Sequence, residues 1–102
     1  MEISVHDELN KRPSLHPAVL NLIDRTVRAA KKHSTWVGVC GGLAADPLGA
    51  RILTGLGVDE LSMSAQDIAA VKAALRAESF VSMQALAERA LAAGSADEVR
   101  AL

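Results

Sequence analysis

Trp36-Val37-Gly38-Val39-Cys40-Gly41-Gly42 begins as a short apolar run without polar alternation and stops at a thiol followed by two glycines. A run of this kind fits a strand covered on both faces, which is the habit of parallel sheets. Upstream, Pro17 sits where a first helical residue tolerates proline, and Val19, Leu20, Ile23, Val27 and Ala30 recur at helical spacing. The pattern predicts an amphipathic helix over 17–33, with Lys31, Lys32 and His33 at the negative end of its dipole. Downstream, Asp46-Pro47 supplies an N-cap and a first-turn proline for a short helix running through Leu53 and closing at Gly55 and Gly57.

Val58 to Met63 reads as a second strand. Ser64-Ala65-Gln66-Asp67 resembles a capping box with Asp in place of Glu, opening a helix with Ile68, Val71 and Leu75 on its apolar face. A further helix is expected from Val81 to Ala93, stopped by Gly94, and Ser95 with Glu98 repeats the capping signal for a last one. Residues 1–14, mixed in charge and without periodicity, read as a flexible lead-in. The expected order is therefore α-β-α-β-α-α-α, an α/β chain built of βα units. Two strands neither close a barrel nor bury both their faces, so such a unit is expected to belong to something larger or to associate with itself.

Composition narrows the function. The 102 residues suit one small domain. Eleven basic and twelve acidic side chains are interspersed and nearly cancel, leaving no basic stripe for nucleic acid. No apolar run approaches the ~20 residues that span a bilayer, and no signal-peptide pattern opens the chain, so no membrane partner and a cytoplasmic location are expected. Cys40 is the only cysteine, which removes intramolecular disulfides and cysteine-cluster zinc sites.

In βα-barrels functional groups lie at the C-terminal ends of strands and in the loops just after them. Cys40-Gly41-Gly42 qualifies, because glycines let the backbone turn close beneath a thiol or beside a ligand. Leu61-Ser62-Met63-Ser64 qualifies too, leading into a helix N-terminus that favours anions. The structural readings stand beside these. A free cysteine often only fills space, Ser64 serves as a helix cap, Ser62 packs or bonds to backbone, and Trp36, Met63 and Met83 belong to the core. His6 falls in the lead-in, His16 before a helix-starting proline and His33 at a helix end, so no metal site is expected from this chain alone. Neither a P-loop nor a dinucleotide glycine pattern is present.

Taken together, three blocks resemble Enzyme I of the bacterial phosphotransferase system, in order and in spacing. They are Leu15-His16-Pro17-Ala18-Val19-Leu20, the segment from Trp36 through Cys40-Gly41-Gly42-Leu43-Ala44-Ala45-Asp46-Pro47, and Gly55-Leu56-Gly57-Val58-Asp59-Glu60-Leu61-Ser62-Met63-Ser64. Pyruvate phosphate dikinase and phosphoenolpyruvate synthase share the Cys-Gly motif, but Asp59 to Ser64 looks more like Enzyme I.

The resemblance implies a partial (β/α)8 TIM barrel, with residues 15–102 as its C-terminal quarter carrying the last two strands and their flanking helices. It implies a parent that takes the phosphoryl group of phosphoenolpyruvate, with Mg2+, through a phosphohistidine to a histidine phosphocarrier protein in sugar uptake, and whose C-terminal domain dimerises. Cys40 matches the family cysteine that protonates the enolate carbon as pyruvate forms. Gly41, Gly42 and Met63 would line the substrate pocket. Free thiols ionise near ~8.5, so a thiol is a fitting general acid at neutral pH. Many family members carry Glu where this chain has Gly42, so that glutamate's role does not transfer. The family's phosphate-binding arginines, magnesium carboxylates and phosphorylated histidine precede this segment. The chain alone is therefore expected to be a fragment that binds no cofactor and is catalytically silent. The alternative is a non-catalytic association module, a homo-oligomer, from a dikinase or synthase relative.

Overall fold

The computed structural model describes residues 15–102 and the strand Glu2–Ser4. Its elements run β1 (Glu2–Ser4), α1 (Pro17–Lys32), β2 (Gly38–Cys40), α2 (Gly42–Ala45), α3 (Pro47–Leu56), β3 (Glu60–Ser62), α4 (Ala65–Arg76), α5 (Phe80–Ala92) and α6 (Ala96–Arg100). The sheet is parallel, in the order β1-β2-β3, with Ser4 beside Cys40 and Cys40 beside Ser62. The chain is α/β, as expected, but the element order differs from the expected one at two points. Glu2–Ser4, within the lead-in, pairs as a third strand, because three residues are held by β2 and not by any pattern of their own. A single extra turn, α2, follows the glycines. Met1 and residues 5–14, including His6, lie outside the described residues.

α1 forms where its apolar spacing requires and buries Leu20, Ile23, Val27 and Ala30. His16 caps it, Nδ1 accepting from the Ala18 N–H at 3.0 Å, and His33 ends it, so both histidines have structural work. α3 is capped by Asp46, whose Oδ1 accepts from the N–H groups of Leu48 (2.9 Å) and Gly49 (3.1 Å). The other oxygen of that carboxylate takes Arg100 Nη1 at 2.7 Å, tying α6 to the start of α3. α3 runs on past Leu53 and closes only at Gly57, in the left-handed region at φ 96°. Gly55, expected as a stop, is inside the helix: a Cβ there would strike the Met83 carbonyl, so its role is to admit the backbone of α5.

The core lies between these helices and one face of the sheet. Leu15, Leu20, Leu43, Ile52, Leu53, Val39 and Val99 are buried, and Met83 is 5% exposed, as expected of a core residue. Trp36 is not in the core. It is 52% exposed, because it precedes β2 and its ring lies over Gly38, where a Cβ would stand 2.8 Å from the indole. No described helix is long and apolar enough to cross a membrane.

Candidate functional site

Side chains alternate across a strand, and laterally paired residues share a face. Val37, Val39 and Leu61 therefore turn to the helices, and Gly38, Cys40, Glu60 and Ser62 to the opposite face. Val37 and Val39 are 1% exposed, whereas Glu60 and Ser62 are exposed and Cys40 is half-buried. The helices complete one face of the sheet. The face that carries the thiol is left open by the described residues.

The thiol is fixed at the end of the central strand. Beyond it Gly41 adopts φ 96°, ψ −160°, a conformation essentially confined to glycine, and its N–H donates to the Ser62 carbonyl at 3.3 Å. That bond holds the C-terminal ends of β2 and β3 together. At the other end Asp59 clamps the two strands: its Oδ2 accepts from the Val37 N–H at 2.9 Å, and its own N–H donates to the Val37 carbonyl at 2.9 Å. Ser62 Oγ donates to Glu60 Oε1 at 3.2 Å, side chain to side chain, where a backbone partner or packing was expected.

Cys40, Gly41 and Gly42 are thus brought together at one strand end, with Gly42 exposed and opening α2. Met63 is placed differently. It packs against the core and lines an apolar groove of about 420 Å³ with Leu61, Ile68 and Val71, a groove whose lining does not include Cys40. Ser64 stands at the N-cap of α4 without a side-chain capping bond, whereas Ser95 does cap α6, accepting from the Glu98 N–H at 3.2 Å. Sequence reasoning did not single out Asp59 or Glu60 as contributors here. Asp59 lies 22 residues from the N–H it holds, and only the pairing of β2 with β3 reveals the contact.

Among the described residues no three His, Cys, Asp or Glu side chains stand together as metal ligands.

A small parallel sheet with its helices on one face makes the chain an α/β protein. The model of the "PEP-utilising enzyme, PEP-binding domain" family matches residues 5–80, and the chain belongs to that family. It is 60% identical over 89 residues to a multiphosphoryl transfer protein of Xanthomonas campestris, covering 87% of this chain and 11% of that protein. A multiphosphoryl transfer protein of Rhodobacter capsulatus is 54% identical over 99 residues, 96% of this chain and 12% of its own length. A phosphoenolpyruvate-protein phosphotransferase of Haloferax volcanii is 49% identical over 83 residues, 81% and 15%. The chain therefore spans between about a tenth and a sixth of the length of these relatives.

Proposed function

We propose that this chain is the C-terminal part of the phosphoenolpyruvate-binding barrel of an Enzyme I type phosphotransferase, and that Cys40 is its general acid. Glu2–Ser4, β2 and β3 are then consecutive barrel strands, and the open face carrying Cys40 and Ser62 is the barrel interior. The observation that carries the reading is the half-buried thiol at the C-terminal end of the central strand, beside a backbone turn that only glycine accommodates. When the phosphoryl group leaves phosphoenolpyruvate, the enolate methylene carbon takes the Cys40 proton. A C–H bond forms, the S–H bond breaks, and the thiolate is reprotonated from solvent.

Gly41 and Gly42 let the backbone approach the substrate, and Met63 packs beneath the pocket as part of its support. Magnesium, the phosphate-binding cations and the phosphorylated histidine belong to the rest of the parent, which works in the cytoplasm, hands the phosphoryl group to a histidine phosphocarrier protein and drives sugar uptake. The test is a chimera in which this chain replaces the matched segment of the Xanthomonas relative. It should exchange the methyl protons of pyruvate with solvent, and Cys40→Ala should slow that exchange by about a hundredfold or more. Exchange undiminished by Cys40→Ala would contradict the assignment.

A second reading has its own observation. β3 has no described strand on its outer side, which favours association, as a dimer or as a docking module of a dikinase or synthase type enzyme.

A further inference from the structure

Gly38 precedes Cys40 by two residues on β2, so both belong to the thiol-bearing face, and Gly38 brings no side chain into its own layer of that face. Trp36 takes the space instead. A Cβ at Gly38 would meet Trp36 Cζ3 at 2.8 Å and Glu60 Cβ at 3.6 Å, which puts the indole on the same side of the sheet as Glu60, Cys40 and Ser62. A strand rises about 3.3 Å per residue, so the ring stands one side-chain layer, about 7 Å, below the thiol. Glycine within a strand often marks the close approach of another group. Here that group is a large apolar ring, 52% exposed on a face that the described residues leave open. Barrel interiors are filled in such layers, one height above the next.

We propose that Trp36 is the floor of the substrate pocket and sets the size of the group tolerated on the carbon that Cys40 protonates. The inference rests on the reading of Cys40 as general acid. To take the proton, that carbon must come within about 3.5 Å of the sulfur, which places it in the layer of Cys40 and Ser62. The indole is the next surface below. An unsubstituted methylene fits above the ring, whereas one further methyl on the same carbon meets it. Trp36 gives and takes no proton, so it is a specificity-determining residue, and Gly38 is the position that admits it.

The test is solvent-proton exchange in the chimera described above, with pyruvate and with 2-oxobutyrate, which carries one more methyl at the exchanging carbon. The intact site should favour pyruvate in kcat/KM by about tenfold or more, the usual worth of one methylene in a fitted pocket. Trp36→Ala should narrow that preference at least about fivefold, and Trp36→Phe, which keeps a smaller ring, should narrow it less. A ring that only supports the barrel would slow both substrates alike on removal. An unchanged ratio therefore overturns the proposal, with Trp36→Phe deciding where Trp36→Ala does not fold. Exchange undiminished by Cys40→Ala would instead overturn the general-acid reading. The contact itself is tested in the purified 102-residue chain, where Trp36 is the only tryptophan. Gly38→Ala should displace the indole and shift its fluorescence emission, and an unchanged spectrum would contradict the contact.

Discussion

The helical side of the molecule and the thiol-bearing face of its sheet are built to different standards of completion. Around α3 the backbones of α2 and α5 approach so closely that Gly49 and Gly55 have no space for a Cβ, and Leu43, Ile52, Leu53 and Ala90 have no exposure at all. Across the sheet, Glu60 and Ser62 face solvent, Trp36 is half exposed, and the β3 edge is unpaired among the described residues. Burial of this quality on one side explains how a small unit holds its shape, since close packing and not sheet area supplies the stability. The other side holds the candidate chemistry and little of the stability. A residue can therefore be placed for catalysis without contributing to the fold, and substitutions should separate the two.

The largest effect should come from the helical side. Gly55→Val drives a side chain into the Met83 carbonyl and should cost about 3 kcal/mol or more, read as a lower urea midpoint with unchanged slope. At the junction of the two sides, Gly41→Ala forces a Cβ into φ 96°, ψ −160° and should cost about 2 kcal/mol. It should also displace Cys40, visible as a changed rate of thiol alkylation. Asp46→Ala removes the α3 cap and frees Arg100, for about 1.5 kcal/mol. Comparing it with Arg100→Ala in a double-mutant cycle separates the cap from the ion pair. On the open face Ser62→Ala breaks only the exposed bond to Glu60 and should shift stability by less than about 0.5 kcal/mol. A large loss there would mean that the open face is structural after all.

How much of this was legible in the sequence follows the same division. α1 and α3 were readable because their signals are local: Pro17 and Asp46-Pro47 at the starts, apolar residues at helical spacing, Ser95 with Glu98 at α6. Gly55 reads as a stop in the sequence, whereas its reason is a contact with Met83, far along the chain. Trp36 reads as core because large apolar residues are usually buried, whereas this one covers a glycine from outside. Glu2–Ser4 carried no signal of its own, since its partner β2 specifies it. In the candidate site, Cys40 and Gly41 were legible as a thiol and a flexible backbone at a strand end. The Asp59 clamp and the Cys40–Ser62 register exist only once β2 and β3 are paired.

On the proposed function Cys40 is one member of a site whose other members lie outside this chain. Titrating the purified chain with phosphoenolpyruvate and magnesium in a calorimeter tests it most directly. No detectable heat is expected. Saturable binding that Cys40→Ala abolishes would contradict it, because the chain would then hold a complete site of its own.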